Sequence, residues 1–291
     1  MGDGMDQRVR AATASPPPVP GSGGTFRRWT VLAALAEEDL SLARLCEGHF
    51  DALAILDELD GPRPRPGEIW GVWAAKPDAL TLDDGRVSGV KPYCSGAALC
   101  TNALVTVGAD LYAVAPGTPV PGTWPATGMA LSDSRDVRFD GVPARYVGPY
   151  VDRPGFHHGG AGVAAVWYGG ARGVARRLVG ASDPHARAHL GAVDVALHGA
   201  LAVLREAAGE IDADPHDRKG TAATRALRVR AHVAAVAAEV LDRAGRALGA
   251  GPLSHDAAHG RRVADLAVYL RQHHAERDLA ALGARVDGRD W

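Results

Sequence analysis

The chain has 291 residues, with 32 Lys+Arg against 34 Asp+Glu and a formal charge of −2. That length predicts about two domains with room for a sizeable core, and the even charge balance argues against nucleic acid, which a basic stripe would mark. Three cysteines (Cys46, Cys94, Cys100) without CxxC spacing exclude a disulfide framework and a zinc knuckle and favour a reducing, cytoplasmic setting, while no run of about 18 apolar residues points to a membrane partner.

Residues 1–25 are rich in Pro, Gly, Ser and Ala, including Pro16-Pro17-Pro18, and predict a disordered leader. Over 26–66 the pattern is helical. Leu42, Leu45, Cys46, His49, Leu53, Leu56 and Leu59 recur at three- and four-residue steps until Gly61-Pro62 ends the stripe. Residues 67–150 read as a β-domain. Ile69-Trp70-Gly71-Val72-Trp73, Arg86–Val90, Ala103–Val107, Leu111–Ala115 and Asp136–Val142 are short runs rich in Val and aromatics, and Asp84-Gly85 and Gly108 supply turns. Strands joined so briefly predict an antiparallel barrel or sandwich. Residues 151–291 predict a four-helix bundle, with helices near 159–180, after Asp183-Pro184, up to Gly249, and from Val263 toward Gly283. The expected class is α+β: a short N-terminal helical segment, a central antiparallel β-barrel or sandwich, and a C-terminal bundle.

Several strings then narrow the reading. Gly89-Val90-Lys91-Pro92-Tyr93-Cys94-Ser95-Gly96-Ala97, Gly128-Met129 followed by Ser132-Asp133-Ser134 and Phe139-Asp140-Gly141-Val142, Ala247-Leu248-Gly249-Ala250-Gly251, and Arg262-Val263-Ala264-Asp265 resemble, in that order, segments of the acyl-CoA dehydrogenase-like flavoproteins. The resemblance covers roughly 27–283. It implies the acyl-CoA dehydrogenase-like fold, with FAD (or FMN) between β-domain and bundle, and a homo-oligomer that completes the flavin site. The N-terminal helical part is truncated against the family, and the family's Arg-x-Gln-Phe-Gly string has no counterpart between 170 and 210. Eight residues after Asp265, where the family usually has its catalytic Glu, stands His273, followed by His274. A histidine there resembles the flavin monooxygenase branch of the superfamily.

The resemblance implies flavin contacts at Tyr93, Ser95, Gly96, Trp73, Gly249 and Gly251, and a catalytic role for His273 or His274. A hydroxyl at Ser95 suits flavin N5 because it can donate or accept as that nitrogen changes protonation; the plainer reading is a strand-ending serine. His273 continues the stripe His259, Val263, Leu266, Leu270, so it points inward, where a neutral imidazole serves as a base or as a structural hydrogen-bonding group. His274 competes for the role. His255 and His259 share a helix face but lack a third ligand, which argues against metal. Trp70 and Trp73 face opposite sides of one strand; one of them is a candidate wall of a flavin or acyl pocket, and barrel core plus interface is the ordinary reading. Lys91 reads as a surface or helix-contacting charge. The Gly-rich runs 159–162 and 169–173 lack phosphate-loop endings and read as close helix packing.

Three functions follow. The first is oxidation of an acyl-CoA-type thioester at its α and β carbons by a flavin-dependent oxidoreductase, with His273 in place of the carboxylate. The second is a flavin-dependent monooxygenase supplied by a flavin reductase or electron-transfer partner. The third is a non-catalytic remnant or partner subunit that holds no flavin.

Overall fold

Apolar stripes at helical spacing and alternating strand runs give the computed structural model, which describes residues 3–288, its α+β architecture. The elements follow in the order α1 (Asp3–Thr13), α2 (Thr25–Glu38), α3 (Leu40–Glu58), β1 (Trp70–Trp73), β2 (Leu80–Asp83), β3 (Arg86–Cys94), β4 (Asn102–Val107), β5 (Asp110–Val114), β6 (Thr118–Pro119), β7 (Arg135–Pro149), α4 (Pro154–Ala175), α5 (Pro184–Ala213), α6 (Ala222–Leu248), α7 (Gly251–His255), α8 (Ala257–Tyr269) and α9 (Glu276–Gly283). Two units form. One joins the residues up to 19 with 41–156, and the other joins 20–40 with the residues from 157 on. The segment 26–66, expected as one helical piece, is thereby divided: α2 belongs to the second unit and nearly all of α3 to the first.

The expected disordered leader is corrected at its start, because α1 is a helix that buries Met5 and Val9. Those two positions are one helical turn apart. Arg10 on the same helix donates to the Gly67 carbonyl at 3.1 Å, so a two-residue apolar stripe and one tether hold a segment whose composition looked unstructured.

In the first unit the sheet order is β1-β4-β5-β7-β3-β2, with β6 also on β7. The long β7 serves both halves: its residues up to Pro143 pair with β3 and those from Ala144 pair with β5. Gly141, at φ 61°, lies beside this switch. The sheet is mixed where an antiparallel one was expected, since β1 runs parallel to β4, Trp70 opposite Asn102 and Trp73 opposite Val105. The turn argument applied to the hairpins β2–β3 and β4–β5. It did not apply to β1, whose chain passes through that first hairpin before reaching β4, and such a crossover permits parallel pairing.

Trp70 and Trp73 face opposite sides, as the spacing predicts. Trp70 packs with Ala52, Ile55, Leu56, Leu104 and Leu111 between sheet and α3. Each buried Leu or Ile among them contributes about 1.5–3 kcal/mol relative to exposure. His49 on α3 accepts the Trp70 backbone N–H at its Nδ1 (3.1 Å). Burial holds its pKa down to about 4, so the ring stays neutral and keeps the lone pair that the contact needs.

Lys91 corrects another expectation, for it is fully buried. Its ammonium donates to the Lys76 carbonyl (3.1 Å), the Thr106 carbonyl (2.8 Å) and Thr106 Oγ1 (2.7 Å), three protons for three acceptors. Burial still holds its pKa down to about 8. The cost of keeping this charge inside is therefore complete below pH 8 and is relieved as pH rises from there toward the unfolded value of about 10.4. The buried thiols Cys46, Cys94 and Cys100, all pushed up by burial, act in the opposite sense once the unfolded thiols ionise above about 8.5. Comparison with Lys91→Met isolates the lysine: in urea denaturation at pH about 7.5 and about 9.5, the intact protein gains on the variant at the higher pH. An equal difference at both pH values would mean that Lys91 keeps its proton throughout.

In the second unit α4, α5 and α6 are the long helices. The fourth expected helix is interrupted into α7, α8, a 3₁₀ turn at Leu270–Gln272, and α9. Asp256 caps α8 by accepting from the N–H groups of Ala258 and His259. Helix α2 packs on α4 through glycines, as a Cβ at Gly169 would lie 2.7 Å from Ala33 Cα and one at Gly173 2.8 Å from the Glu37 carbonyl. The close-packing reading holds for that run. At Gly160 it does not, because nothing lies within 4 Å of an added Cβ. Helix α5 has the length and apolar composition of a membrane-crossing segment and is mostly unburied; His189, Asp194 and His198 interrupt it.

Candidate functional site

Ser95 follows β3, whose last turn is bent by Tyr93 at φ 59°, with Gly96 at φ 71° just beyond. Two left-handed residues around a serine make the chain double back, and glycine meets that demand at no steric cost. The loop is pinned on all sides. Gly96 and Ala97 donate their N–H groups to the carbonyls of Ser132 and Asp133 (2.8 and 3.1 Å), and Asp133 accepts the Ala98 N–H at 2.9 Å. Trp73 Nε1 donates to the Ser95 carbonyl at 3.0 Å. A Cβ at Gly96 would lie 3.0 Å from Leu45 Cδ2 and 3.1 Å from Cys100 Sγ.

The half-buried Ser95 hydroxyl ends a chain of polar groups. Arg44 on α3 donates Nε–H to Ser95 Oγ at 3.1 Å. Ser95 Oγ lies 2.8 Å from Ser134 Oγ, which lies 2.8 Å from Ser132 Oγ. Ser132 donates to the Met129 carbonyl at 2.7 Å. Arg44 is itself held by the buried Glu47 at 2.8 Å. Ser132 and Ser134 are 1% and 6% exposed, so these hydroxyls have exchanged water for one another.

Sequence reasoning missed Arg44, Ser132 and Ser134. The string Ser132-Asp133-Ser134 was visible as a family resemblance, but its link to Ser95 is tertiary. Arg44 sits between the apolar positions Leu42 and Leu45, where a charge reads as a solvated neighbour of the stripe.

The other predicted residues separate clearly. Tyr93 is 58% exposed and beside Ser95. Trp73 is corrected as a flavin wall: at 1% exposure, against the Phe139 ring at 6.4 Å, it has no free face and supports Ser95 from within the core. In the second unit, Gly249 caps α6 at φ 65° and Gly251 opens α7. Both are exposed and nothing lies within 4 Å of a Cβ at either; their geometry is that of a helix end.

The structure also distinguishes the two histidines. His273 follows the 3₁₀ turn with its side chain 10% exposed, while the His274 side chain is 54% exposed with Nδ1 3.4 Å from Asp278. The His273 ring meets Trp167 edge-on at 6.1 Å, and Arg230 lies over the same indole at 4.7 Å. His273 Nε2 is buried with no hydrogen-bond partner among the described residues, the Asp278 carboxylate standing off at 3.9 Å. Burial lowers its pKa, with Asp278 opposing and Arg230 adding to the drop, so the neutral ring is favoured. Among the described residues no three His, Cys, Asp or Glu side chains gather as a metal site. An open cleft of about 220 Å³ in the first unit, lined in part by Trp70, Arg63 and Arg145, contains none of the predicted site residues.

No protein-family model matches the sequence, and no curated protein matches it either. Solved structures do. TdsC from Paenibacillus sp. A11-2, in complex with FMN and indole, superposes with a TM-score of 0.74 at 21% identity, over 88% of this chain and 81% of that one. Methanesulfinate monooxygenase MsuC from Pseudomonas fluorescens gives 0.74 at 21% identity over 90% and 84%. XiaF from Streptomyces sp., in complex with FADH2 and glycerol, gives 0.72 at 16% identity over 98% and 88%. At such identities the likeness speaks for the fold. The chain has the acyl-CoA dehydrogenase-like fold that its residue strings anticipated, in common with these structures.

Proposed function

We propose that this protein is a flavin-dependent monooxygenase, supplied with reduced FMN or FAD by a separate reductase. Bound in reduced form, the flavin supplies two electrons that, with O2, place one oxygen atom in the substrate and the other in water. The observation that carries the reading is Ser95: a half-buried hydroxyl on a rigid left-handed loop, held by Arg44 and Ser134. Its second lone pair is left for a ligand, which fits the polar edge of a flavin ring. Considered by itself, the orphaned buried Nε2 of His273 belongs to a neutral imidazole that can hold or accept a proton without first losing one. His274, largely exposed, is not assigned a role.

This reading displaces acyl thioester oxidation. The position at which the family resemblance expects a carboxylate base is His273, and the structural neighbours are named for other reactions, MsuC for methanesulfinate. Assembly as a homo-oligomer belongs to the proposal too: α5 leaves Val195 73% exposed, and Leu190, Leu197 and Leu201 along the same helix are only half-buried.

Anaerobic titration of the purified protein with reduced FMN and reduced FAD tests the reading. Saturable binding is expected, weakened about tenfold by Ser95→Ala, the worth of one hydrogen bond. Protein that takes up neither flavin in either redox state would instead be the flavin-free remnant, and the monooxygenase reading would fall.

A further inference from the structure

The serine chain has a direction, and the direction has a chemical consequence. A carbonyl oxygen can only accept, so Ser132 commits its single proton to Met129 at 2.7 Å. Ser134 must then be the donor in the 2.8 Å contact with Ser132. With its own proton committed, Ser134 can only accept from Ser95 across the next 2.8 Å contact. At the far end Arg44 Nε–H, a donor with no acceptor capacity, occupies one lone pair of Ser95 Oγ at 3.1 Å. Ser95 therefore has no proton left to offer, and one lone pair that can still accept. The burial of Ser132 and Ser134 removes the water that could otherwise scramble this polarity.

We infer that Arg44, Ser134 and Ser132 are positioning residues that fix Ser95 Oγ as an acceptor, so that the site selects a ligand presenting an N–H there. The sequence alone suggested a hydroxyl free to switch roles; the chain denies it that freedom. Resting on the flavin reading above, the inference predicts redox selectivity. Reduced flavin carries a hydrogen on N5 and would donate a hydrogen bond through it to Ser95 Oγ, keeping the proton. Oxidised flavin offers a lone pair at N5, which faces the lone pair of Ser95 unless the whole chain reverses, and reversal would strand the Ser132 contact with Met129.

The test is equilibrium affinity, with turnover playing no part. Anaerobic titrations with oxidised and with reduced FMN are expected to give the intact protein about a tenfold preference for the reduced form. This is equivalent to raising the midpoint potential of bound flavin by about 30 mV for the two-electron couple. Ser134→Ala leaves the Ser95 proton without its acceptor, and Ser132→Ala lets Ser134 turn and donate to Ser95. Either change frees Ser95 to donate, so the preference should shrink to within about twofold while flavin still binds. A general loosening of the loop would weaken both forms alike and leave the ratio unchanged. Equal affinity of the intact protein for both forms, or a preference that survives both substitutions, overturns the inference and leaves the flavin reading standing. Failure to bind either form overturns that reading itself.

Discussion

Trp73→Ala is expected to cost the first unit about 3–5 kcal/mol, the range for deleting a fully buried large aromatic. Against a typical total of about 5–15 kcal/mol, that loss is enough to populate unfolded protein under mild stress. The magnitude follows from three features of the site. The indole is 1% exposed, so its removal opens a cavity on all sides. It packs against Phe139 across the sheet at 6.4 Å and a 59° tilt, so a second aromatic loses its partner. Its Nε1–H is a donor to the Ser95 carbonyl, which keeps only the long Cys100 Sγ contact at 3.8 Å when the indole goes. Gly71 completes the arrangement, since a Cβ there would sit 2.6 Å from Trp73 Nε1. Trp73→Phe separates packing from hydrogen bonding. It keeps much of the ring volume and should cost less than half as much, yet it releases the same Ser95 carbonyl and so should weaken flavin binding beyond its effect on stability. Urea denaturation followed by circular dichroism reads the first quantity and flavin titration the second. A loss below about 1 kcal/mol for Trp73→Ala would place the core elsewhere.

This residue also shows where sequence reading runs out. That Trp70 and Trp73 face opposite sides follows from strand geometry and needs no structure. Which of them meets a ligand depends on what covers each face. The covering groups, Phe139 for one and Ile55 with Leu56 for the other, come from strands and helices distant in the chain. The same division runs through the site. Ser95 was legible because a local string, Tyr93-Cys94-Ser95-Gly96, carries both the turn chemistry and the hydroxyl. Its partners were not legible, since Arg44 lies 51 residues away and Ser134 lies 39 away, and no periodicity links them. His273 was separable from His274 only once the 3₁₀ turn fixed which ring turns inward. Lys91 was misread for a related reason: a lysine satisfied by three carbonyl and hydroxyl acceptors leaves no acidic partner in the sequence to betray its burial. The parallel pairing of β1 and the helix α1 were missed because one depends on a crossover and the other on only two apolar residues.

Glycine in the helices of the second unit has opposite meanings at two positions, and this gives the other large effect. Gly169→Ala should destabilise by about 2 kcal/mol or more, whereas Gly160→Ala should stabilise by about 0.5–1 kcal/mol. Both lie within α4, so alanine improves helix propensity equally at each. The difference lies in what an added methyl meets. At Gly160 nothing lies within 4 Å, and the propensity gain stands alone. At Gly169 the methyl would drive into the Ala33 carbonyl oxygen, with Ala33 Cα at 2.7 Å. Both atoms are backbone of α2, so no side chain can rotate away and relief requires shifting a helix. That shift would strain the neighbouring contacts of Gly173 with the Glu37 carbonyl and of Arg172 with the Glu37 carboxylate at 2.8 Å. It would also pull on the N-terminus of α2, where Asp212 of α5 accepts from the Thr25 hydroxyl at 2.6 Å and from its N–H at 3.1 Å. Thermal denaturation of the two variants side by side checks the sign as well as the size. Should Gly169→Ala melt no lower than Gly160→Ala, the close approach of α2 and α4 is not what holds these helices together.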